Sequence, residues 1–90
     1  MAMLVVHHRV RDYRAWRKVY DEVGPLQKGA GVTAESVYQA KDDPNTVLVM
    51  HSFATMAAAE AFAANPALQD AMQKGGVDGA PRVEFFESAP

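Results

Sequence analysis

The stretch TVLVMHSF, Thr46–Phe53, runs with almost no polar relief. A strand with one wet face alternates apolar and polar residues. A strand without that alternation is covered on both faces and lies inside a sheet. The chain must therefore supply this strand with neighbours on both edges and with packing above and below. The segment Met3–Val10, MLVVHHRV, has the same character until its last residues. Leu4, Val6, His8 and Val10 fall on one face, and Met3, Val5, His7 and Arg9 on the other.

The other elements follow from caps and spacing. Asp12 can cap a helix by accepting from a free backbone N–H. Tyr13, Trp16, Tyr20 and Val23 then recur at helical spacing, with Arg14, Arg17, Lys18, Asp21 and Glu22 opposite, which predicts a helix over Tyr13–Val23. Gly24-Pro25 interrupts or ends it, and Leu26–Lys28 is expected to add a turn before Gly29-Ala30-Gly31. Val32–Lys41 reads as a strand. Asp42-Asp43-Pro44-Asn45 is turn chemistry that would join it to Thr46–Phe53 as a hairpin. Thr55 can cap the alanine-rich MAAAEAFAAN, and Asn65-Pro66 restarts a helix whose buried side carries Leu68 and Met72. Val77–Ala80 is expected to be a loop. Arg82–Glu87 is expected to be a last short strand, with Val83 and Phe85 on one face and Phe86 on the other.

The order strand, helix, strand, strand, helix, strand is the α+β, ferredoxin-like split βαβ plan: a four-stranded antiparallel sheet with its helices on one side. Residues 1–90 are read as a single domain. A chain of this length buries only about 60–65% of its unfolded surface. The helices cover one sheet face, yet the strands are apolar on both. A second copy of the chain, sheet against sheet, is the economical cover.

Net charge is −2, from 9 basic and 11 acidic residues, which argues against the basic face that nucleic acid requires. There is no cysteine, hence no disulfide, no thiolate nucleophile and no Cys-based metal site. No apolar run reaches the roughly 18 residues of a membrane helix. The start, MAMLVVHHRV, turns to His and Arg too early for a signal-peptide core. The expectation is a cytoplasmic protein with no membrane and no nucleic-acid partner.

Among the chemical groups, His7-His8 does not make a mononuclear metal site, because successive strand side chains point to opposite faces. His8 shares the helix-facing side with Leu4, Val6 and Val10. His51, with Val47, Val49 and Phe53, is expected on the same side. In antiparallel neighbours the two would line one elongated cavity without touching. A neutral imidazole can act as a base near pH 7, so His8 and His51 are the candidate acid–base groups; the competing reading is that both are semi-buried structural histidines. Trp16 and Tyr20 can pack the helix on the sheet while leaving a polar edge in a cavity. Gly29-Ala30-Gly31 lacks the GxxxxGK of a phosphate loop.

The opening VHHRVRDYRAWRKVYDE, the hairpin DDPNTVLVMHSF and the closing GVDGAPRVEFFE resemble the dimeric α+β barrel superfamily, in particular its small antibiotic-biosynthesis monooxygenase-like bacterial members. The resemblance implies two ferredoxin-like chains paired into a barrel, with a ligand cavity between sheet and helices in each. It implies a lining of His8, Trp16, Tyr20 and His51, with Phe62 and Met72 from the later helical segments, and no cofactor or metal. The function it implies is a cofactor-independent monooxygenase-like enzyme acting on a small hydrophobic or aromatic molecule. The alternatives are an isomerase or polyketide cyclase using the same base, or a non-enzymatic small-molecule-binding, stress-related dimer.

Overall fold

The computed structural model describes residues 1–90 and contains one sheet in the order β2-β3-β1-β4. Its elements are β1 (Ala2–Val10), α1 (Tyr13–Glu22), α2 (Gly24–Ala30), β2 (Val32–Ala40), β3 (Asp43–Phe53), α3 (Met56–Ala63), α4 (Pro66–Lys74) and β4 (Val77–Glu87). All strand pairs are antiparallel. The two most apolar strands, β1 and β3, take the two central positions, where both edges are hydrogen-bonded.

The caps act where the side chains allow. Asp12 accepts from the Arg14 N–H, Thr55 from Ala58 and Asn65 from Ala67. Pro25 sits in the first turn of α2, where its missing N–H costs no helical bond. The Gly24-Pro25 break therefore opens a seven-residue helix, longer than the single turn expected.

Two boundaries differ from expectation. The hairpin turn is confined to Lys41-Asp42, and Asp43–Asn45 already belong to β3. Asp43 accepts from the Asn45 N–H and the Thr46 hydroxyl and pairs with Arg9, which ties the strand start to β1. Val77–Ala80 is strand, not loop. Val10 pairs with Val77 and Arg9 with Asp78, before the register slips and Gly79, Ala80 and Pro81 stand opposite His8. Gly79 supplies a positive φ of 78°, and Pro81 has no N–H to give, so this stretch bulges instead of pairing residue for residue.

The core lies between sheet and helices. Leu4, Val6, Val10, Val47, Val49 and Phe53 from the strands meet Trp16, Tyr20, Ala59 and Phe62 from the helices. On the opposite face Met3, Val5, Leu48 and Met50 are only half-buried, and Tyr38 and Phe86 are exposed.

An apolar cavity between two histidines

The register decides where the two candidate imidazoles lie. Leu4 pairs with His51, and His8 with Val47, so both histidines sit on the helix-facing side, four positions apart. That is about 13 Å along the strand. His7 points the other way and is exposed, so the adjacent pair shares no ligand. No cluster of three His, Asp or Glu side chains comes together anywhere in the fold.

Helix α1 bridges the gap with aromatic rings. Trp16 and Tyr20, one helical turn apart, stack at 5.0 Å between ring centroids. His8 packs on Trp16 at 5.5 Å, and His51 stacks on Tyr20 at 6.0 Å. Phe62 closes the far end edge-on to His51 at 5.6 Å and leans on Phe53. The helix is held over the sheet by Asn45, which accepts from the Tyr13 N–H and donates to the Arg11 carbonyl.

The two imidazoles differ in their bonding. His51 Nε2 is hydrogen-bonded to the Tyr20 hydroxyl at 3.0 Å, and its Nδ1 has no partner. Neither ring nitrogen of His8 has a partner, although the residue is 5% exposed. Burial, with a smaller contribution from the charge of His7, lowers the His8 pKa to about 4. Burial also lowers that of His51, opposed by the charge of Glu35, its partner across to β2. Burial pushes the Tyr20 hydroxyl up, and Glu35 adds to this. Near neutral pH the pair Tyr20–His51 and the lone His8 are therefore all uncharged.

Between these rings lies a cavity of about 50 Å³. Its walls include His8, Trp16, Tyr20, His51, Phe62 and Met72, so every residue singled out from the sequence borders it. The surface it offers is almost wholly apolar: the imidazoles present carbon, and their free nitrogens are covered. A dry apolar cavity needs roughly 150 Å³ to take a benzene ring. The space has room for a few waters, not for an aromatic substrate.

Sequence reasoning missed Gln27, which is 3% exposed and also lines the cavity. The signal was present: Gln27 follows Tyr20 by seven and Val23 by four, the spacing of one continuing helical face. Reading Gly24-Pro25 as a helix start would have exposed it. Glu35 was missed because only the β2–β3 register sets it beside His51.

A family model described as antibiotic biosynthesis monooxygenase matches residues 7–74. The chain belongs to this family. All six cavity residues named from the sequence fall inside the matched span. Solved structures reproduce the fold of the antibiotic biosynthesis monooxygenases at low identity. A Bordetella bronchiseptica protein carrying the family's name is 12% identical with a TM-score of 0.82, covering 99% of this chain and 97% of that one. SnoaB, a cofactor-independent oxygenase from Streptomyces nogalater, is 11% identical with a TM-score of 0.80, over 99% and 93%. Rv0793 from Mycobacterium tuberculosis is 13% identical with a TM-score of 0.74, over 99% and 95%. Comparison with curated proteins finds no match.

Proposed function

We propose that this protein is a cofactor-independent oxygenase for a small hydroxylated aromatic molecule. The observation that carries the reading is His8. A buried imidazole with both nitrogens unmatched costs about 1–3 kcal/mol. It persists at the wall of an apolar cavity, in a chain of the antibiotic biosynthesis monooxygenase family.

In this reading the ring of a phenol or hydroquinone stacks against Trp16 and Tyr20, and its hydroxyl meets a reoriented His8. The imidazole accepts the phenolic proton. The phenolate gives one electron to O2, and the resulting radical pair combines at a ring carbon bearing hydrogen to form a peroxide anion, which takes the proton back from the His8 imidazolium. Loss of water from that peroxide leaves a quinone. One O2 is consumed, one oxygen atom enters the product and the other leaves as water. The substrate supplies all the electrons. A His8 pKa of about 4 makes it a weak base toward an ordinary phenol. Phenolate and imidazolium stabilise each other in an apolar site, and a hydroxyl acidified by a conjugated carbonyl narrows the gap further.

The active form is read as a homodimer. Its contact is the sheet face carrying Val5, Leu48 and Met50, flanked by exposed Tyr38 and Phe86. Sedimentation should show a dimer at micromolar concentration, and Met50→Arg should yield monomer. A wild-type monomer would overturn this part of the reading.

Turnover is tested by oxygen uptake with a panel of phenols and hydroquinones. One O2 should be consumed per quinone formed, and His8→Asn should reduce the rate by about 10²–10⁴. Turnover that continues without O2 would point instead to an isomerase or cyclase. Tight retention of a panel member without any turnover would point to a binding protein.

A further inference from the structure

A second hollow lies just outside the first. It is an open groove of about 370 Å³ between α4 and β4, walled by Gln69 and Gln73 on one side and by Val77, Pro81 and Val83 on the other. Gly79 and Pro81 of the β4 bulge, opposite His8, are part of its lining. The inner cavity and this groove share one lining residue, Met72. We propose that Met72 is the gate through which ligand passes from the groove to the cavity, and that its side chain sets the size of molecule admitted.

Three observations support the assignment, which rests on the reading that the inner cavity takes a ligand. First, that cavity, although partly open to solvent, offers only about 50 Å³ and is too small for an aromatic ring as it stands, so a wall must yield before a ring can enter. Second, α4 is the least anchored wall. It buries no residue, whereas α1 buries Trp16 and Tyr20 and α3 buries Ala59 and Phe62. Third, the C-terminal end of α4 is pinned. A Cβ on Gly75 would lie 3.1 Å from Trp16 Cδ1, and the Gly76 carbonyl accepts from the Arg11 N–H at 3.0 Å. With the helix end held, the moving part is the side chain. Methionine, unbranched and with three rotatable bonds, moves at low cost. Swinging it aside joins cavity and groove into a volume within the roughly 300–1,000 Å³ range of small-molecule sites. The ring of a ligand that has passed Met72 would then lie among the aromatics of the inner cavity.

Trp16 is the only tryptophan and lines the inner cavity, so its fluorescence reports entry. Stopped-flow quenching by 1-naphthol should give association and dissociation rates for the wild type, Met72→Ala and Gln69→Phe. Met72→Ala should raise both rates by about tenfold or more. Gln69→Phe narrows the exposed groove without touching the cavity, and should slow both rates while leaving Kd unchanged. Equal rates in all three proteins would overturn the gate and leave the cavity reading intact. A Gln69→Phe effect on dissociation alone would place naphthol in the groove and also overturn it. No quenching in any protein, Met72→Ala included, would remove both the gate and the cavity reading.

Discussion

His8 and His51 face the same layer of aromatic rings, from strands that lie side by side, yet the fold treats them differently. His51 is held: Tyr20 bonds its Nε2, Phe62 braces its edge, and Glu35 stands beside it. His8 is buried as deeply and is held by packing alone, against Trp16 and opposite a bulge in β4. Equal burial thus goes with unequal hydrogen bonding. His51 keeps one ring nitrogen bonded and His8 keeps neither, and a buried polar atom without a partner is one that calls for an explanation.

The largest expected effect breaks the better-supported end. Phe62→Ala removes a side chain that is 2% exposed and packs on both His51 and Phe53. It should cost about 3–5 kcal/mol in chemical denaturation. It should also enlarge the cavity at the His51 end alone.

Acid sharpens the contrast next. His8 has a pKa of about 4 in the folded chain and 6.5 unfolded, so between these values the unfolded chain binds the extra proton. Stability contributed by the neutral ring is complete above pH 6.5, is lost as pH falls through this window, and stops changing below pH 4. Relative to His8→Leu, the wild type should lose on the order of 3 kcal/mol between neutral pH and about pH 4. Parallel curves for the two proteins would show that His8 titrates normally.

Smaller effects should have opposite signs at the two ends. Tyr20→Phe strips His51 Nε2 of its partner inside the core, and should destabilise by about 1–3 kcal/mol. His8→Leu removes two unmatched nitrogens at similar volume, and should stabilise by about 1 kcal/mol in urea melts while abolishing turnover. A destabilised His8→Leu would mean that His8 has an internal partner, and the distinction between the two histidines would vanish.

Much of this was legible before any coordinates. The unbroken apolar runs placed β1 and β3 at the sheet centre, and the period of two put His8 and His51 on the helix side. Asp12, Thr55 and Asn65 announced the helix starts, and the order of elements announced the split βαβ plan. Trp16 and Tyr20 could be paired because residues four apart share a helix face. These are consequences of local geometry, which each segment carries alone. Where the chain departed from expectation, at Val77–Ala80, the residues looked like a loop because Gly79 and Pro81 are bulge chemistry as well as turn chemistry.

Tertiary structure decided the rest. Strand register set Leu4 against His51 and Glu35 beside it, and helix tilt brought the Tyr20 hydroxyl to 3.0 Å from one imidazole while leaving the other without a partner. The same packing left a void of about 50 Å³ with Met72 as its shared wall. Such outcomes depend on how residues far apart in the chain fill space together. An error of one residue in register turns a side chain to the other face, and ångström-sized gaps are what remain after all other side chains have packed. The sequence by itself determined which groups face the site. Only the assembled fold decided which of them is left without a hydrogen-bond partner.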